Sequence, residues 1–144
     1  MYGQLTRAPG GSLDLYGLFN RVSGIDTREG TIGGRWAGRR KAVGWRLEAA
    51  YQFGNRDSLS VSAALLAAEI SIALAKNKGR LALWYDYLSG DDNRLDRRAT
   101  GFQTVFGTNH KFYGYADLFT DIPLHTGGRG LQDAAVKSSY SPAK

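Results

Sequence analysis

VGWRLEAAYQF, residues 43–53, separates cleanly by parity. Val43, Trp45, Leu47, Ala49, Tyr51 and Phe53 fall on one side of an extended chain, and Gly44, Arg46, Glu48, Ala50 and Gln52 fall on the other. Side chains alternate across a strand with a period of two, so the segment predicts a two-faced strand: one unbroken apolar row, and one row carrying an arginine and a glutamate.

The same design recurs along the chain. In 12–21, Leu13, Leu15, Gly17 and Phe19 oppose Asp14, Tyr16, Leu18 and Asn20; in 31–39, Ile32, Gly34 and Trp36 oppose Thr31, Gly33, Arg35 and Ala37. In 80–88, Leu81, Leu83, Tyr85 and Tyr87 oppose Arg80, Ala82, Trp84 and Asp86. The stretch 58–79 is ambiguous, because its Ala and Leu content suits a helix and Ser58 could cap one. A strand is preferred there, with Leu66, Ala68, Ile70, Ile72 and Leu74 opposite Ala67, Glu69, Ser71 and Ala73, because its neighbours are strands. A sixth, weaker alternation covers 131–140. The expected class is all-β: an antiparallel up-and-down meander of about six strands.

Composition agrees with strands and turns. The 144 residues include 19 Gly, 8 Tyr, 6 Phe and 3 Trp against only 3 Pro, and 42% are hydrophobic and 22% charged, which is globular rather than disordered. The net charge of +6 and a pI near 9.7 suit nucleic acid, an anionic membrane surface or an acidic solute equally. Basic residues alternate with acids inside the strands, so no continuous basic stripe forms and nucleic acid is not expected as a partner. With no cysteine, neither a disulfide frame nor a thiolate metal site is available. No stretch reaches about 18 uncharged apolar residues, which excludes a spanning helix and leaves a spanning barrel open.

Two further features point to a barrel in a membrane. VSGIDTREG and GNRDSLS read as longer connections and GRRKA and KNKG as short ones, with about forty residues following Leu88, an alternation that outer-membrane barrels show between their two ends. Trp45 and the pair Tyr51 and Phe53 stand roughly 20 to 26 Å apart at strand rise, the spacing of two interfacial aromatic girdles. A sandwich core strand with aromatics at both ends, or a soluble lipocalin-like barrel, would share parts of this pattern.

YDYLSGDD at 85–92, followed by VFGTNHKFYGYADLF at 105–119, resembles the alginate export family of bacterial outer-membrane β-barrels, in which a strand ending Asp-Tyr-x-Ser-Gly-Asp precedes a long loop carrying Thr-Asn-His-Lys-Phe/Tyr-Tyr-Gly-Tyr-Ala-Asp. LEAAYQFG at 47–54 and the strand holding Ala67, Ala68 and Glu69 look like family strands in matching order. The resemblance implies a larger transmembrane barrel of about eighteen strands, of which this chain supplies six or seven as an open, curved sheet. Residues 1–144 are therefore expected to be a single stretch of such a barrel domain, lacking the signal peptide and ending at SSYSPAK before the closing strands. It also implies an outer-membrane location, lipid around the barrel, and an arginine-rich lumen that passes the polyuronate alginate. The family loop motif falls on Thr108, Asn109, His110, Lys111, Tyr113, Gly114, Tyr115 and Asp117. Phe102, Phe106, Phe112, Tyr113 and Tyr115 are expected to pack this loop against its own strands, with Gly107 and Gly114 at tight turns and His110 as a packing residue.

The residues that carry chemistry are charged, not catalytic. There is no phosphate-binding GxxxxGK[ST], GTIGGRWAG misses the dinucleotide spacing, and two separate histidines make no zinc motif, so no enzyme, metal or cofactor is expected. Glu48, Glu69 and Asp86 share the polar face and read as partners of arginines rather than as a glycosidase pair. Asp91, Asp92, Asn93 and Asp96 read as a solvated turn rather than a calcium loop, since Leu95 breaks the ligand order. Arg35, Arg46 and Arg80, with Lys137, occupy the polar faces of separate strands. Facing water, they would attract the carboxylates of an anionic polysaccharide or a small anionic solute, while the interleaved acids limit trapping. A general porin wall, whose charges only pair with one another, is the alternative.

Overall fold

The computed structural model describes residues 2–8, 10–24, 26–74, 78–93, 95–104 and 121–141, with backbone alone at 2–8 and at Pro123. The strands are β1 (Tyr2–Ala8), β2 (Gly11–Val22), β3 (Thr27–Arg40), β4 (Val43–Arg56), β5 (Leu59–Leu74), β6 (Gly79–Leu88), β7 (Arg98–Ala99) and β8 (Leu131–Tyr140), with one helical turn, α1 (Ile122–His125). The sheet order is β1-β2-β3-β4-β5-β6-β8, every neighbour antiparallel, and the short β7 adds to β5 in parallel. The two outermost strands, β1 and β8, each have one partner among the described residues, so the sheet is the open antiparallel meander expected, not a closed eight-stranded barrel.

The ambiguous stretch is a strand. β5 pairs with β4 over fourteen positions from Val43↔Ile72 to Arg56↔Leu59, and with β6 from Leu65↔Leu88 to Leu74↔Gly79. Cross-strand pairing overrides the helix propensity of its alanines and leucines. β1, which alternation did not mark, adds a strand at the edge.

The expected alternation of long and short connections does not hold. GNRDSLS is no loop: β4 and β5 run through it and turn over only Asp57 and Ser58, whose φ of 48° and 68° are the two left-handed residues of a tight hairpin. β3 likewise begins at Thr27, paired with Val22 at the end of β2. These segments are polar because they extend beyond the apolar band, not because they leave the sheet. Among the connections, only 89–130 is long.

One face of the sheet is apolar and uncovered. Phe19 is 71% exposed, Val136 69%, Leu83 57%, Ile32 56%, Ile70 55% and Leu66 54%. Aromatics gather toward its two ends: Trp36 and Trp45 with centroids 5.4 Å apart, and Tyr51 and Phe53 at 6.5 Å, with Phe53 in the row of Phe19 across β3. No helix among the described residues is long and apolar enough to cross a membrane.

The opposite face is polar and partly covered by the long connection. Phe102 and Ile122 are buried on Ala50, Ala63 and Leu88, with Tyr16, Leu65 and Leu131 around them. The cover is tied down by backbone bonds, Ser60 N to Arg97 O at 2.9 Å and Ser89 N to Ala64 O at 2.9 Å. Gln52 adds a two-point clasp: its Nε2 donates to Gln103 O at 2.7 Å and its Oε1 accepts from Gln103 N at 2.9 Å. The expectation that Phe102 packs the loop inward is thus met. Phe106, Gly107, Phe112, Tyr113, Gly114 and Tyr115 lie outside the described residues.

β3 owes its close packing to glycines lying under rings of neighbouring strands. A Cβ on Gly33 would stand 2.4 Å from the Tyr16 ring, and one on Gly38 would stand 2.6 Å from Trp45. Gly33→Val is expected to displace the Tyr16 ring and destabilise the sheet by about 1–3 kcal/mol, the usual range for overpacking. Thermal unfolding in detergent checks it, and an unchanged melting temperature would show that Tyr16 moves freely.

Candidate functional site

Register places Arg35, Arg46, Arg80, Lys137, Glu48, Glu69 and Asp86 on the polar face together. Their order along the strands matters more than their number. Nearest the turn at Lys41–Ala42, which we call the Lys41 end, stands Arg80, opposite Ala73 and Ser139. The next row inward holds Arg39, Gly44, Ser71, Ala82 and Lys137. The row after it holds Arg46, Glu69 and Trp84. Beyond them comes an acid-rich row, Asp14, Arg35, Glu48, Ala67, Asp86 and Asp133.

Arg46 is the hub. Its guanidinium lies 3.4 Å from Glu48 Oε2, 3.9 Å from Asp86 Oδ1 and 4.1 Å from the centre of the Trp84 ring. Glu48 also accepts a hydrogen bond from the Tyr16 hydroxyl at 3.1 Å, so each of its oxygens has a partner. Lys137 places its ammonium 3.3 Å from the same Trp84 ring centre. The negative π-face of one indole thus attracts two cations. Arg80 pairs with Glu69 in a contact that is 47% exposed on the arginine side, which leaves it open to water. Arg35 is exposed and makes no ion pair among the described residues, although Asp14 and Glu48 are its register neighbours.

All seven charged residues expected at the site are therefore on one face, and three pairs join them: Arg46 with Glu48, Arg46 with Asp86, and Arg80 with Glu69. Sequence reasoning missed Asp14 and Asp133, whose parity puts them on the same face, and it missed Tyr16 and Trp84 as partners. Parity alone could have found all four. What it could not supply was register, which sets Asp14 beside Arg35 and Asp133 beside Asp86.

The remaining candidates are quieter. Asp91, Asn93 and Asp96 accept from the backbone N–H groups of Asn93, Leu95 and Arg98, the local turn bonds expected of a solvated loop. No cluster able to hold a metal ion occurs among the described residues. The loop residues Thr108, Asn109, His110, Lys111, Tyr113, Gly114, Tyr115 and Asp117 lie outside the described residues. A broad shallow depression lined by Leu13, Trp36, Leu47, Leu66 and Tyr85 belongs to the apolar face and has no convergent polar groups.

No curated protein and no solved structure matches the chain. The family model described as "Alginate export" matches residues 17–123, a stretch that includes Arg35, Arg46, Glu48, Glu69, Arg80, Asp86 and the loop motif, with Lys137 beyond it. Matched over most of its length and folded as an open antiparallel meander with one apolar and one charged face, the chain belongs to the alginate export family.

Proposed function

We propose that this chain forms one wall of an outer-membrane β-barrel channel, a single stretch of a larger barrel domain, with the apolar face toward lipid and the charged face lining a water-filled passage for a polyuronate such as alginate. The observation that carries this is the division of the sheet: large uncovered apolar residues on one face, and cations interleaved with acids on the other. In a spanning barrel, lipid-facing and lumen-facing residues alternate along every strand, so the two faces require each other. Arg35 is available to a solute carboxylate, and Arg80 and Lys137 stand on the side of the face nearest the Lys41 end. Guanidinium groups offer forked hydrogen bonds to carboxylates, while the acids beside them keep each encounter short.

Nothing in this arrangement calls for catalysis or a cofactor. Glu48, Glu69 and Asp86 each lie within 4 Å of a cation, which suits charge partners better than an acid and base flanking a glycosidic bond. That same pairing favours one other reading, a general porin wall with no preference for a polymer. Block of single-channel current separates them. With the complete barrel in a planar bilayer, an oligouronate is expected to produce resolved blocking events at concentrations where a neutral glucan of equal length produces none. Equal block by both polymers would leave the general porin.

A further inference from the structure

Charge on the polar face is sorted by depth, and the sorting points to a place of capture. Among the described residues, cations cluster at the Lys41 end: Arg39 and Arg80 near the margin of the polar face, Arg40 beside them with the opposite parity, and Lys41 and Lys78 in the turns. Lys137 stands in the same row as Arg39. Glu69, which pairs with Arg80, is the acid nearest to them among the described residues. Four residues further along β4, about 13 Å at strand rise, the row of Asp14, Glu48, Asp86 and Asp133 holds four acids against Arg35 alone. Among the described residues the opposite end has no such excess: Asp26, Glu29, Asp57, Asp91, Asp92, Asp96 and Asp121 stand among Arg21, Arg28, Arg56, Arg97, Arg98 and Arg129.

We propose that the Lys41 end is a capture collar for an anionic polysaccharide, so that the polymer is caught at this mouth far more often than at the other. This rests on the channel reading above and adds a direction to it. The collar would raise the local concentration of polyanion at one mouth. The acid-rich row behind it opposes a stationary bound chain, so capture leads to passage rather than to plugging. Trp84, in contact with both Arg46 and Lys137, sits between the two zones and holds two cations at the boundary. Fields of this kind accelerate association by tenfold or more and fade as salt screens them over about 10 Å at 0.1 M.

The test is the frequency of blocking events when an oligouronate is added to one side of a single complete barrel and then to the other. A cysteine introduced at the exposed Ala42 and modified with an impermeant reagent shows which side carries the Lys41 end. At about 0.1 M salt the frequency from the Lys41 side is expected to exceed that from the other side by roughly tenfold, and the excess should vanish near 1 M. Arg39→Gln with Lys41→Asn and Lys78→Gln should remove most of the excess; asparagine suits the left-handed φ of 55° at position 41, so the turn is kept. Equal frequencies from both sides, or an excess that this variant leaves intact, overturns the proposal. So does a variant whose only change is weaker insertion into phosphatidylglycerol–phosphatidylcholine vesicles, which would assign the cations to lipid headgroups. Block from neither side would instead remove the channel reading, and the collar with it.

Discussion

Arg46→Ala is expected to destabilise the barrel by about 3 kcal/mol, the largest effect of any single change on the charged face. The arginine is the cation shared by Glu48 and Asp86, and the Asp86 side chain is only 4% exposed, so its loss leaves a carboxylate in poor contact with water and without its counter-charge. Glu48 retains the Tyr16 hydroxyl, which keeps the cost at the low end of the range for a broken buried pair. The check is urea unfolding of the folded barrel in detergent micelles. Arg46→Ala combined with Asp86→Asn should recover a large part of the loss, because a neutral amide costs less to hold there than an unpaired charge. If the double variant is no more stable than the single one, the arginine acts through its packing on Trp84 rather than through charge.

The second large effect belongs to the covering segment. Phe102→Ala should weaken its docking by about 3–4 kcal/mol, since the ring is 6% exposed and packs on Ala50, Ala63, Leu88 and Ile122. Gln52→Ala should add to it by removing both bonds of the clasp to Gln103. The segment stands on the face proposed as lumenal, so its release is expected to raise single-channel conductance and to speed cleavage between residues 97 and 104 by an added protease. Faster cleavage with unchanged conductance would mean that the segment covers the wall without narrowing the passage.

Much of this architecture was readable because one physical rule repeats. Leu47 beside Arg46, Leu81 beside Arg80 and Trp36 beside Arg35 fix two faces by parity alone, and parity survives errors in strand ends. Ends and turns were less legible. Asn55, Arg56, Asp57 and Ser58 look like a loop by composition, yet Arg56 pairs with Leu59 and the chain reverses over two residues. Polar residues mark the limit of an apolar environment, which is not the limit of a strand. The charged site was visible residue by residue and invisible as an arrangement: nothing local shows that Glu48, Asp86 and Asp133 share a row, because register is set by turns far from any of them. Hence the cations were recognised and the acids of their row were undercounted. The clasp between Gln52 and Gln103 was beyond sequence reading, since it joins a strand to a loop fifty-one residues away.

The central claim is that the arginines of the polar face govern which ions pass. Its most direct test is the reversal potential of the complete barrel in a salt gradient at about 0.1 M, measured for the parent and for Arg35→Ala/Arg46→Ala/Arg80→Ala. The parent is expected to prefer anions. In the triple variant that preference should disappear and turn toward cations, because Asp14, Glu48, Asp86 and Asp133 remain on the face with Arg35 and Arg46 gone. A reversal potential identical in parent and variant would contradict the account, and the charged face would then be an ion-paired porin wall that selects nothing.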